Sequence, residues 1–226
     1  MAQRMDGKAV SAQVRESVAQ EVDHLKKSGV CPGLAVVIVG EDPASRIYVN
    51  NKKKACAAVG MYSEEHALPE TTTQQELLAL VEQLNGRPDI HGYNVGKIML
   101  GNYRFLPCTP AGIMELLHAY AIPVEGKRCV VIGRSNIVGK PMAMLLLHEN
   151  GTVTICHSRT QNLPEVTRQA DILVSAVGKS RFVTADMVKP GAVVVDVGMN
   201  RDENGKLCGD VDFNAVEPLA SFITPV

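Results

Sequence analysis

At 226 residues, 46% hydrophobic and 21% charged, with 23 basic against 24 acidic side chains, the chain has the composition of a folded globular protein, not a disordered or fibrous one. A net charge of -1 supplies no basic field to gather nucleic acid. The longest apolar runs, residues 34–39 and 143–147, fall far short of the roughly 20 residues that cross a bilayer; residues 1–10 read as neither a secretory signal nor a transit sequence, which points to a cytoplasmic setting, and the six scattered cysteines, with no C-x-x-C pair, read as reduced packing residues rather than a zinc or disulfide framework.

In chain order, the spacing predicts a helix over 11–27 closed by Ser28-Gly29, then a continuously apolar strand over 34–39 ending at Gly40. Asp42-Pro43 opens a second helix over 45–59, and Asn85-Gly86 stops a third over 74–84. Residues 110–120 supply a helix leading to a boundary near Ile122-Pro123. Beyond it, apolar β-branched runs at 129–132, 153–156, 172–176 and 192–197 alternate with helical or irregular connections. The fold class is therefore α/β. A first domain spans 1–121, and a doubly wound parallel sheet of Rossmann type spans 122–226, with ligands expected at the carboxyl ends of its strands.

The run Val130-Val-Ile-Gly133-Arg134-Ser135 reads as strand, tight turn and helix start, where free amides and the helix dipole can hold a pyrophosphate. Its spacing, G-x-S-x-x-x-G, matches the common dinucleotide fingerprint only in part, and a turn that needs glycine for geometry alone fits as well. About 20 residues on, where NAD enzymes place an acid for the ribose, stand His157, Ser158 and Arg159. A cation and hydroxyls suit a 2'-phosphate, with Arg134 in reach of the same group, so the residues favour NADP. Gly178, and Gly198 with Met199, end two further strands and permit close approach of a flat ligand or simply end a turn. On the second helix, Tyr48, Lys52, Cys56 and Val59 share a face from which Lys53 and Lys54 rotate away. A desolvated Lys52, hydrogen-bonded by Tyr48, would make an acid/base pair; periodicity alone equally fits a basic helix with every lysine in solvent.

These motifs, taken together, resemble the bifunctional methylenetetrahydrofolate dehydrogenase/cyclohydrolase family. The resemblance rests on Gly40-Glu-Asp-Pro-Ala-Ser45 with Tyr48 and Lys52, then Pro107-Cys-Thr-Pro-Ala-Gly112, residues 131–141, residues 152–160, Val195-Asp-Val-Gly198, Gly209-Asp-Val-Asp-Phe213 and Ile223-Thr-Pro-Val226, all in the family's order. It implies a folate-binding first domain, an NADP-binding second domain and a cleft between them. There 5,10-methylenetetrahydrofolate would give a hydride to NADP, and the methenyl product would be hydrolysed to 10-formyltetrahydrofolate. By the same resemblance Lys52 is catalytic, Tyr48 packs on the folate and helps position Lys52, and Gly133, Arg134, Ser135 and Ser158 hold NADP, while Met199 stands where the family usually has Ile. The family also implies a homodimer. Two departures stand out. After His91-Gly92 the family continues through a strand carrying the glutamine partner of the catalytic lysine and, further on, a folate-binding aspartate; here Gly92 is followed at once by Tyr93. The chain also stops at Val226, where the family continues into a final helix. Retention of every cofactor motif favours a chain closed up over residues that belong after Gly92, which a Cα separation well beyond 3.8 Å would mark. Competing readings are a nucleotide-binding protein without catalysis and an oxidoreductase similar to shikimate dehydrogenase.

Overall fold

The computed structural model describes residues 2–87, 89–90, 95–103 and 105–226. In chain order the elements are β1 (Gln3–Arg4), α1 (Gly7–Lys27), β2 (Gly33–Val39), α2 (Pro43–Ala58), β3 (Tyr62–Leu68), α3 (Gln74–Asn85), α4 (Val95–Met99), α5 (Cys108–Ala119), β4 (Arg128–Ile132), α6 (Gly139–His148), β5 (Thr152–Cys156), α7 (Leu163–Thr167), β6 (Ile172–Ser175), β7 (Val193–Asp196), β8 (Asn200–Arg201), β9 (Leu207–Cys208), α8 (Phe213–Val216) and β10 (Phe222–Ile223). They group into two compact units, one of residues 1–10 with 94–226 and the other of residues 11–93. The division expected after residue 121 differs from this. Residues before it join the larger unit because α5 buries Ile113, Met114, Leu116 and Leu117 in the same core as α6 and the sheet.

In the larger unit the sheet runs in the order β1-β10-β7-β6-β4-β5, with every pair parallel. Side chains alternate across it. Cys129, Val131, Ile172 and Val174 face the α5/α6 layer, while Val130, Ile132, Leu173 and Val194 face Val183, Met187 and Val216, so both faces are dry. This is the doubly wound architecture the alternating pattern predicts. The edge strand β1 was not expected: Gln3 pairs with Phe222 and Arg4 with Ile223, a two-residue ladder that no local propensity announces. Counting from β4, the strand order reverses between β4 and β6. This is the switch point at which open α/β sheets bind ligands beyond the carboxyl ends of their strands.

In the smaller unit β2 and β3 pair in parallel from Gly33↔Tyr62 to Val39↔Leu68, with α2 as the crossover between them. The strand β3 escapes a hydropathy reading because its centre is Glu64-Glu65-His66. Ion pairs satisfy it instead: Arg46 and Lys53 reach Glu65 at 2.7 and 2.9 Å, and Arg87 reaches Glu64 at 2.6 Å. Hydrogen bonds from Tyr62, His66 and Arg87 hold the Glu64 carboxyl far below its ordinary range, at about 2. The helix α3 starts where its capping residues dictate, with Thr73 and Glu76 exchanging side-chain and backbone hydrogen bonds. The Gly92 to Tyr93 separation lies outside the described residues.

Candidate active site and nucleotide cradle

At the switch point, Gly133 leaves β4 with φ +127°, a conformation that L side chains rarely adopt. A Cβ there would lie 2.5 Å from the carbonyl oxygen of Ala176, so glycine lets the turn after β4 press against the end of β6. The start of α6 differs from the sequence expectation of free amides. The hydroxyl of Ser135 accepts the amides of Val138 and Gly139 at 3.1 and 3.2 Å, Lys140 donates to the Ser135 carbonyl, and Pro141 has no N–H. The amides of residues 134–137 enter no hydrogen bond among the described residues. A phosphate is therefore offered the preceding turn plus the helix dipole, not the first turn of the helix itself.

Parallel register places Ile132 opposite Cys156, so Arg134 and the 157–160 turn emerge side by side, about 4.8 Å being the usual strand spacing. That turn is tight. His157 N–H donates to Thr160 Oγ1 at 2.8 Å, Thr160 N–H returns to the His157 carbonyl at 2.9 Å, and Arg159 N–H donates to His157 Nδ1 at 3.2 Å. Ser158 and Arg159 are left exposed at its tip. Neither Arg134 nor Arg159 has an ion-pair partner among the described residues, so the two cations are unspent at one edge of the cradle.

Two strands along, the ends of β6 and β7 are tied together by two carboxylates, Asp196 half-buried and Asp210 fully buried. Asp196 accepts the amides of Gly198, Asp210 and Val211 at 2.8, 2.9 and 2.9 Å. Burial pushes its carboxyl above the ordinary range against the pull of those amides. Asp210 is fully buried and accepts from Ser175, Val177, Gly178, Lys179 and Asn200. Gly198 is glycine because a Cβ would fall on the backbone N and carboxylate of Asp210, and Gly209 because one would fall on the Asp196 carboxylate. The signal was present in Gly209-Asp-Val-Asp, but nothing local says which amides those acids receive. Gly178 has φ +66° with open space beside it, and Met199, 77% exposed, projects from the same rim.

A cavity of about 790 Å³ opens at the carboxyl ends of β7 and β10, where Cys108 and Thr109 of one motif meet Val197, Thr224 and Val226 of two others. A smaller one of about 280 Å³, beside Lys127, Asp171 and Lys189 at the opposite ends of the strands, holds none of these motifs.

On α2 of the smaller unit, Asp42 accepts the Ser45 amide at 2.8 Å and starts the helix. The buried residues are Val49, Cys56 and Val59, with Lys52 half-buried beside them and Lys53 and Lys54 exposed. Tyr48 departs from the expected shared face, being 55% exposed. It also does not meet Lys52 by a hydrogen bond: the Lys52 ammonium sits 4.3 Å from the centroid of the Tyr48 ring, a cation–π contact one turn apart along the helix.

A doubly wound sheet with a glycine turn at its switch point, and beside it two arginines without ion-pair partners among the described residues, defines a dinucleotide-dependent oxidoreductase scaffold, in a chain whose other unit bears a half-buried lysine. The comparisons sharpen this. Residues 5–96 match the tetrahydrofolate dehydrogenase/cyclohydrolase catalytic domain, and residues 107–226 match the NAD(P)-binding domain of the same family. The chain belongs to the tetrahydrofolate dehydrogenase/cyclohydrolase family. It is 53% identical to the bifunctional protein FolD of Acetivibrio thermocellus over 98% of this chain and 89% of that protein. The comparison runs over 253 positions, more than the 226 residues here, so the relative carries residues without a counterpart in this chain. Among solved structures, the bifunctional FolD of Campylobacter jejuni superposes with a TM-score of 0.93 at 43% identity, covering 100% of this chain and 92% of that one. The Trypanosoma brucei enzyme, solved with NADP and an inhibitor, gives 0.89 at 34%, covering 100% and 90%. A shikimate dehydrogenase from Aquifex aeolicus shares only the fold, at a TM-score of 0.54 and 13% identity over 86% of each chain.

Proposed function

We propose that this chain oxidises 5,10-methylenetetrahydrofolate with NADP and hydrolyses the methenyl product to 10-formyltetrahydrofolate. The observation that carries the proposal is the pairing, in one chain, of the nucleotide cradle at the switch point with the Lys52–Tyr48 pair on α2. Gly133 and the exposed turn amides of residues 134–137 would receive the pyrophosphate, with Ser135 bracing that turn. Arg134, Ser158 and Arg159 would hold the 2'-phosphate through charge-assisted hydrogen bonds, the basis for NADP over NAD. Gly178, Gly198 and Met199 would line the nicotinamide half. When bound, NADP supplies the hydride acceptor; the chain's part in that step is to hold donor and acceptor within reach.

For the hydrolysis, Lys52 Nζ, acting as the neutral amine, would take a proton from the water attacking the methenyl carbon. As the resulting tetrahedral adduct opens a C–N bond, the lysine would return that proton to the departing nitrogen, and the remaining hydroxyl proton would leave to solvent as the formyl C=O forms. The Tyr48 ring limits where Nζ can go, since the ammonium rests on its face, and would itself pack on the pterin. The family resemblance further supports a homodimer working in the cytoplasm; among the described residues no helix is long and apolar enough to cross a membrane.

The test is a spectrophotometric assay of the whole protein with methylenetetrahydrofolate and either NADP or NAD, alongside hydrolysis of preformed methenyltetrahydrofolate. NADP affinity without turnover of either folate would overturn the proposal and leave a nucleotide-binding protein without catalysis.

A further inference from the structure

We propose that Asp210 is the positioning residue for the nicotinamide half of the cofactor, which rests on the NADP reading above. Its carboxylate is fully buried and gathers five donors from two separate segments: Ser175 Oγ at 3.2 Å and the amides of Val177, Gly178 and Lys179 at 2.7, 3.3 and 2.9 Å from one, and Asn200 Nδ2 at 2.9 Å from the other. Three consecutive amides turned onto one anion shape the loop after β6, much as a nest shapes itself around a bound ion. The same carboxylate lies against Gly198, which closes the loop after β7, and its own backbone N–H is held by Asp196. Asp210 thus sets the relative position of the two loops that leave β6 and β7, although it lies in neither.

The adenosine end of the cradle is elsewhere. Ser158 and Arg159 follow β5, which the sheet order separates from β6 by one intervening strand and from β7 by two, roughly 10 and 14 Å at ordinary strand spacing, while Arg134 follows β4, the neighbour of β6. Asp210 makes no hydrogen bond to that end among the described residues. A carboxylate is required because every group facing it donates. In Asp210→Asn the amide oxygen can serve only some of the five, and the NH2 group confronts the others, so the two loops lose their shared anchor.

The experiment titrates the whole protein with two ligands, NADP and adenosine 2',5'-bisphosphate, the latter reporting on the adenosine end alone. Asp210→Asn is expected to weaken NADP by about tenfold or more while leaving the bisphosphate within about twofold, and to raise KM for NADP more than it lowers kcat. Asn200→Ala removes one donor and keeps the carboxylate; the same selective pattern with smaller amplitude is expected, and it decides the matter alone should Asp210→Asn not fold. Unchanged NADP affinity in the folded variants overturns the proposal, as does equal weakening of both ligands, which would make Asp210 a general support of the fold. Failure of the unmodified protein to bind either ligand overturns the NADP reading itself, and this proposal with it.

Discussion

Replacing Gly133 by Ala is the most direct trial of the cradle. The backbone there has φ +127°, and holding a non-glycine residue in such a region costs about 1–3 kcal/mol. The new Cβ would also stand 2.5 Å from the Ala176 carbonyl oxygen. That is roughly 1 Å inside ordinary contact. Neither group can rotate away, since one is bonded directly to the main chain and the other belongs to it. Forcing them apart costs a further ~1–3 kcal/mol, giving about 2–6 kcal/mol in all. For a chain of this size each kcal/mol moves the melting temperature by about 2–4 °C, so the midpoint should fall by about 4 °C at least. Because the strain is relieved by pushing the end of β6 away from β4, NADP affinity should fall as well. Gly178→Ala is the comparison: its φ is also positive, but no atom stands in the way, so only the conformational cost of about 1–2 kcal/mol remains. Thermal unfolding by circular dichroism and NADP titration would measure both variants. A Gly133→Ala protein that melts within about 1 °C of the unmodified chain and binds NADP equally well would refute the close approach of β4 and β6 as described.

Lys52→Gln should abolish hydrolysis of methenyltetrahydrofolate while NADP affinity stays within about twofold, because the side chain lies in the other compact unit from the cradle; retained hydrolysis would remove Lys52 from its assigned role. Neutral replacement of Arg134 or Arg159 should weaken NADP by about 10–100-fold and NAD by only a few-fold, since a charge-assisted hydrogen bond contributes about 1.5–3 kcal/mol; equal losses for the two coenzymes would contradict the 2'-phosphate assignment. Glu64 has a folded-state pKa of about 2, below its ordinary value of 4.5, so its contribution to stability is present above pH ~4.5 and disappears as pH falls towards 2. Glu64→Gln should therefore melt below the unmodified protein at neutral pH, with the two curves converging between those limits; a gap independent of pH would show that the charge of Glu64 is not what holds β3.

The sequence by itself settled the elements whose signal is local. Continuous apolar runs of β-branched residues announced β4 to β7, because strands buried on both faces need no polar alternation, and Asp42 marked the start of α2 and Asn85-Gly86 the end of α3 to within a residue or two. The glycine turn at 133 was equally legible, as was the placement of Arg134 and Arg159 just beyond two strand ends. What long-range pairing creates was not. The strand β1 exists only because residues 222–223 offer an open edge, and β3 is held by ion pairs from α2 and from Arg87 despite a polar core. Tertiary structure also decided that Ser135 takes up the amides of Val138 and Gly139, that Lys52 rests on the Tyr48 ring, and that Asp210 collects donors from segments up to 35 residues away. The physical reason is common to these cases. Hydrophobic periodicity reports which side of an element is dry, whereas the partner of a buried polar group is set by which chain segments cross nearby, and that is a property of the folded sheet alone.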